Sequence, residues 1–393
     1  MAVTTTTTLS NSVQAKYLAA YILKAKENLY YDQMTYVVAA EDMIEGSSLK
    51  VTFYFNLPPN PNAVSQQADI TPKQVADALF SVTPDLYGDA VMIPEKLRRT
   101  AFTKVAAAVG EIIGQAAGES VDYLARTAAT QGKLLMYAGS ATTRATCDHT
   151  SDQIAYGDFV TAAAMLAGWH VDPIANGNYG AVLSHAVFKD LLEDGTIVLV
   201  GEYGQKPQII LNGELGMVGG VKLVVTQWAK KFYGSGTANS SVSQTLSVDK
   251  KAGATTISLA ADTNVAVGQW ITIGTVESAA VEYPTTEIAK IVAGSASPWT
   301  IVGGGINGGL KYFHGAGESV VDNDTVHAVV FFGKNSIGKV YSPEDGAMGR
   351  ALPPKTTGLL DQFETAAWKF FGGYGRVAEN RLLRMECATS LKI

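Results

Sequence analysis

PEKLRRTAFTKVAAAVGEIIGQAAGESVDYLARTAATQGKLLMY, residues 94–137, has no proline after its first residue and is dominated by good helix formers. It predicts a helix on the order of 60 Å long at 1.5 Å per residue. Leu97, Ala101, Val105, Ala108, Ile112 and Ala116 recur at three- and four-residue spacing, with Lys104, Glu111, Glu119 and Arg126 largely outside that stripe, so one face is expected to be covered. Gly110, Gly114 and Gly118 stand four apart on one side. Each costs up to about 1 kcal/mol relative to Ala in a helix, and close approach of another backbone is the compensation that this spacing predicts.

Before this spine, Val13–Leu29 carries Tyr17, Leu18, Tyr21, Ile22 and Ala25 at helical spacing, a short amphipathic segment in need of a partner surface. From Tyr30 to Ile93 the pattern is of strands and turns. Leu49-Lys50-Val51-Thr52-Phe53-Tyr54-Phe55 alternates and Leu57-Pro58-Pro59-Asn60-Pro61-Asn62 breaks it, which suits a projecting arm. Thr71-Pro72-Lys73-Gln74 reads as a helix start leading into Val75 and Leu79.

After the spine comes a polar loop, Gly139–Ser151. Tyr156–Gly168 then reads as an Ala-rich helix, Asn178–Val187 as a strand entering a turn at Ser184-His185, Leu191-Leu192 as part of a short helix, and Gly195–Val200 as a strand. Gly219–Thr226 reads as a strand buried on both faces. Together these predict an α+β body. At Gly234–Ser241 the composition becomes that of a linker. Beyond it Gln244–Val248, Thr255–Ala260, Gln269–Thr275, Glu287–Val292 and Trp299–Val302 predict a small inserted all-β domain. The body resumes at His327–Gly333 and runs through Trp368–Phe371 to a last strand, Leu382–Ala388.

The chain has 393 residues, 47% hydrophobic and only 17% charged, with net charge −6. An average soluble domain is about 25% charged, so much of the outer surface is expected to be covered by partner subunits, whose buried centres are poor in charge. No Lys/Arg block marks a nucleic-acid reader. The Thr-rich start lacks the features of a secretion signal, and no apolar stretch reaches the ~20 residues of a membrane span.

Catalytic chemistry is not expected. His149, His170, His185, His314 and His327 are scattered, and Cys147-Asp148-His149 are sequence neighbours of a kind that rarely converge on one metal. Cys147 and Cys387 read as inert packing thiols. Gly303–Gly309 lacks the Lys-Ser/Thr of a phosphate loop and reads as a turn. Glu344-Asp345 and Asp322–Asp324 lack calcium-loop spacing and read as solvated turns. No cofactor or metal is expected.

In their order, these segments resemble the major capsid proteins of tailed double-stranded-DNA bacteriophages, with the Hong Kong 97-type (Johnson) fold. The resemblance rests on Pro94–Tyr137 as spine helix, Gly213–Lys222 as an axial-domain turn and strand, and Leu360–Lys369 with the terminal strand. Where the family's usual pattern has Asp-Pro before the leucine, this chain has Thr357-Gly358-Leu359. The resemblance implies an N-terminal arm (1–30), an extended loop region (31–93), spine helix and peripheral domain (94–150), a first part of the axial domain (151–233), the inserted β domain (234–326) and an axial and peripheral return (327–393). It implies self-assembly as hexamers and pentamers into an icosahedral head shell around packaged DNA, with no enzymatic activity. Assembly would take place in the host bacterial cytoplasm, with portal, scaffold and decoration proteins as partners. Gly110, Gly114 and Gly118 would serve spine packing, and Phe53, Tyr54 and Phe55 contact between subunits. The rival readings are a tail-tube or baseplate protein, against which the long helix argues, and a carbohydrate-binding β module on a helical carrier. The latter predicts an aromatic platform or carboxylate pair in the insert, where Trp270 and Trp299 stand.

Overall fold

The computed structural model describes residues 21–22, 24–25, 29–39, 49–54, 57, 60–61, 72–75, 77–96, 105–174, 177–194, 214–236, 242–276, 285–357 and 363–391. The chain forms two compact units, Met1–Ala128 with Ile337–Val377, and Ala129–Ser336 with Ala378–Ile393. Strands β1 (Thr35–Ala39), β2 (Leu49–Tyr54), β3 (Asp77–Val82) and β4 (Asp85–Pro94) precede helix α1 (Val105–Thr130). There follow β5 (Leu135–Tyr137), α2 (Tyr156–Gly168), β6 (Tyr179–Leu183), α3 (His185–Glu193), β7 (Glu214–Val218), β8 (Val221–Val225) and β9 (Lys231–Phe232). Six short strands come next: β10 (Ser243–Thr245), β11 (Thr256–Ile257), β12 (Trp270–Ile273), β13 (Glu287–Ala293), β14 (Trp299–Gly303) and β15 (Ser319–Asp322). The last are β16 (Val326–Phe332), β17 (Ile337–Tyr341), β18 (Arg350–Thr357), β19 (Phe363–Arg376) and β20 (Leu382–Cys387).

In the first unit β19 organises a five-stranded sheet. It pairs antiparallel with β4 over ten residue pairs and also with β17 and β18, and β17 takes β1 in parallel. Ile113, Ala117 and Val121 of α1 share one apolar cluster with Ala351, Ala366, Trp368 and Phe370 of the sheet and with Tyr21, Ala25 and Leu29. The covered face of α1 is therefore not the expected one: Ala108 and Ile112 are exposed and Ala116 is half-buried. In an Ala-rich helix most stripes look apolar, and the face bearing glycines wins because it admits the closest approach. The helix also ends at Thr130, short of Tyr137. The segment Leu135–Tyr137 instead pairs in parallel with β20, and that pairing overrides helix propensity.

Residues 72–75 are not helical, and β3 follows directly. Phe80 and Val82, two apart, are buried with Val340, while Leu79 faces out: a period of two, as a strand requires.

The second unit holds a seven-stranded sheet in the order β5-β20-β16-β6-β8-β7, with β9 also on β16. Every residue of β16 is buried. Val329 and Phe331 join the cluster of α2 and α3, which includes Phe159, Leu166 and Leu191, and Phe159 meets Phe331 edge-on at 5.4 Å. Val326 and Ala328 belong to a separate cluster with Cys147, Phe232 and Ala388. Two expectations are corrected here. The strand at 179 stops at Leu183, because Ser184 caps α3 and its hydroxyl accepts the Val187 N–H. The strand at 221 is not buried on both faces: Lys222 is exposed, and Val224 and Val225 are half-buried. Gly219 and Gly220, both at positive φ (58° and 82°), make the two-residue turn between β7 and β8. Residues 195–200, read as a strand, lie outside the described residues.

The six short strands form an antiparallel sheet in the order β10-β15-β12-β13-β14-β11. Ser247 N–H donates to Ser258 O and Ala260 N–H to Thr245 O, both at 2.9 Å, joining the two outer strands around the Leu246–Leu259 bridge. Among the described residues these bonds close the sheet into a barrel. Its interior holds Ile257, Ile271, Ile273, Ala289, Ile291, Trp299 and Ile301. Among the described residues no helix is long and apolar enough to cross a membrane.

Candidate interaction surfaces

The spine glycines are placed by α1. A Cβ on Gly114 would lie 2.7 Å from Tyr21 O and 2.9 Å from Tyr21 Cα, and one on Gly118 would lie 2.5 Å from Ala25 O. The four-residue interval in α1 thus meets a four-residue interval in the helical segment at 21–25, backbone on backbone. Tyr21 completes the seat by donating its hydroxyl to Met348 O at 3.2 Å. Gly110 is buried on the same helix.

Among the described residues the arm strands β2 and β3 pair only with each other, from Leu49↔Val82 to Tyr54↔Asp77. A lone hairpin is marginal in water, and this one is anchored by Phe80 and Val82. Glycines make room for those two side chains: a Cβ on Gly338 would meet the Phe80 ring at 2.8 Å, and one on Gly375 would meet Val82 at 2.7 Å. The opposite side is uncovered, with Tyr54 74% and Leu79 61% exposed. Phe53 lies within β2. Phe55 lies outside the described residues. Strand β4 continues the theme: eight of its ten residues are exposed, including Leu86, Val91 and Met92, and Ile112 is 62% exposed on α1. These are large apolar side chains that the folded first unit leaves in water.

The residues screened for chemistry take structural roles. Burial pushes the Cys147 thiol up to about 12, with the Glu386 and Asp152 charges adding to it, and pushes Cys387 well above its ordinary value, so neither is a ready thiolate. His149 Nδ1 stands 3.2 Å from Asp148 and 3.5 Å from Asp324. Among the described residues no three His, Cys, Asp or Glu side chains are grouped to hold a metal ion. Asp322, Asp324 and Asp345 are not the solvated turns expected: all three are buried, and Asp345 sits 3.2 Å from Lys369. Within Gly303–Gly309, Gly305 and Gly309 lie directly against backbone: a Cβ on Gly305 would overlap Leu310 O and one on Gly309 would overlap Gly253 O. Trp299 is in the barrel core and donates to Asp262 at 2.6 Å, while Trp270 is half-exposed with Lys290 over its ring at 5.5 Å. The two do not form a platform.

Several close pairs were invisible in sequence. Ser184 Oγ lies 2.8 Å from His327 Nδ1, but both are buried and the hydroxyl is occupied as a helix cap. His314 lies between Glu287 and Glu318, at 2.8 and 2.7 Å. Lys339 reaches Asp32 across 307 positions. Apart from Glu318, four residues from His314, these partners are too far apart in sequence to carry a local signal.

No family model and no curated protein matches the chain. Solved structures do match over about nine-tenths of it. The capsid of Ralstonia phage GP4 superposes with TM-score 0.56 at 13% identity, over 90% of this chain and 86% of that one. The mature capsid of bacteriophage PhiM1 gives 0.51 at 10% identity, over 91% and 87%. The acid-stable capsid of Helicobacter pylori bacteriophage KHP30 gives 0.51 at 9%, over 91% and 89%. At such identities the likeness is one of fold: this chain has the α+β fold of phage capsid subunits, as the order of its segments led us to expect.

Proposed function

We propose that the chain is the major capsid protein of a tailed phage, a non-enzymatic subunit that assembles with copies of itself into the icosahedral head shell around packaged DNA. The observation that carries this reading is the uncovered apolar surface of the first unit, on a fold otherwise met in phage capsids. Leu79, Leu86, Met92 and Ile112 stand in water in the lone subunit, and repeating contacts between copies would cover them, as a closed shell does. The low charged content of 17% fits the same reading. Hexamers and pentamers, a location in the virion, assembly in the host bacterial cytoplasm and portal, scaffold and decoration partners are parts of this proposal, as are the domain limits implied by the resemblance. The barrel at 243–322 takes the place of the inserted β domain in it.

Electron microscopy of the purified protein, alone and with a scaffold partner, tests the proposal. Closed shells of uniform size are expected. Long tubes of fixed bore would favour a tail component instead, and monomers under all conditions of salt and concentration would overturn the proposal.

A further inference from the structure

The end of the N-terminal segment is held to the first unit by a polar knot that is largely buried. Asp122 of α1 is 2% exposed, and its Oδ1 accepts the backbone N–H groups of Tyr30, Tyr31 and Asp32 at 2.8, 2.7 and 3.1 Å. Its Oδ2 is buried without a hydrogen bond among the described residues. The Asp32 carboxylate accepts from Lys339 Nζ at 2.5 Å and from the Tyr374 hydroxyl at 2.7 Å. Lys339 is 1% exposed, its ammonium 5.7 and 5.3 Å from the rings of Tyr341 and Tyr374. Arg126, one turn along α1, places its guanidinium over the Tyr123 ring at 4.5 Å.

Two carboxylates, the buried Asp122 and the partly exposed Asp32, therefore lie close together, with the buried Lys339 ammonium bonded to Asp32. Like charges brought together out of water favour protonation of one of them. We propose that Asp122 is a proton-operated latch: a proton taken up by the knot tightens the hold of α1 on the chain at 30–32, and its loss loosens that hold.

The energetics run the same way. Burial raises the Asp122 carboxyl and the Asp32 charge adds to it, outweighing the three N–H bonds that lower it, so that it stands at about 6. Burial draws Lys339 down despite its Asp32 partner. When the segment lifts away, Asp122 meets water and returns to the ordinary carboxyl range near 4. A carboxyl whose value is raised in the closed form stabilises that form fully below its ordinary value and loses the effect as pH rises through about 6. Between pH 7 and pH 5 the ratio of closed to open forms should rise about tenfold.

Hydrogen exchange on the full-length protein, followed by mass spectrometry of peptides spanning 29–34 and corrected for the intrinsic pH dependence of exchange, reads this directly. Wild type should be about tenfold more protected at pH 5 than at pH 7, with peptides from β16 as reference. Asp122→Asn keeps an acceptor oxygen but takes up no proton, and its protection should be equal at the two pH values. Equal or lower protection of wild type in acid, or an acid gain that survives Asp122→Asn, overturns the latch. Should that variant not fold, Asp32→Asn serves: it removes the smaller cause and leaves burial in place, so the gain between pH 7 and pH 5 should shrink without vanishing, and an undiminished gain overturns the latch.

Discussion

His314 shows how much one side chain can set. It is fully buried in the barrel between Glu287 and Glu318. Burial lowers its pKa, but hydrogen bonds and charge from the two glutamates outweigh that and leave it raised. For Glu287 burial works upward, and the bonds from His314 and from the Lys311 and Tyr312 N–H groups outweigh it and leave its pKa lowered. A raised histidine contributes stability that is complete below its ordinary value of ~6.5 and is lost as pH climbs through the folded value. A lowered glutamate contributes above its ordinary value and fails in acid. Barrel stability should therefore peak at mildly acidic pH. Thermal melts followed by circular dichroism should show the melting temperature falling from pH 6 to pH 9 in wild type. His314→Gln should lose stability at pH 6 and show little further decline to pH 9; a parallel decline in both proteins would refute the assignment.

At the scale of elements, α1 carries two faces with different duties. The Gly114–Gly118 face is filled by backbone, so Gly114→Leu should overpack the Tyr21 seat and cost ~1–3 kcal/mol. The Ile112 face is open, so Ile112→Gln should leave the melting temperature of the subunit nearly unchanged, within ~0.5 kcal/mol. In the assembly reading it should nonetheless lower shell yield. Denaturant titration of both variants, with shell yield by sedimentation, separates the duties. Equal stability of Gly114→Leu and wild type would mean that the segment at 21–25 does not sit on the glycines.

For the molecule as a whole, the barrel is the most separable part. Phe232 pairs with Val326, and Gly236 N–H donates to Asp324 O at 3.0 Å, so its two ends leave the seven-stranded sheet side by side. Replacing residues 237–322 by a short Gly-Ser linker should keep the rest folded, since loop closure across adjacent ends changes stability by about 1 kcal/mol. A cooperative melt and unchanged near-ultraviolet circular dichroism of the remainder are expected; an insoluble product would show that Asn323, bonded to Thr272 at 2.7 Å, and its neighbours depend on the barrel.

Local pattern was enough for the long helix, five of the six barrel strands and the order of segments that pointed to a capsid fold, because each rests on propensity and periodicity within a few residues; it missed β15 and took the Gly219-Gly220 turn for the start of a strand. Where the choice lay between partners, local pattern failed. The covered face of α1 depends on which backbone approaches it, and the segments at 77–82 and 135–137 became strand because Phe80 packed on Val340 and Leu135 paired with Arg384. The knot at Asp122, the His314 pair and barrel closure were decided by the tertiary structure alone: each joins residues whose attraction exists only once the fold has removed the water between them.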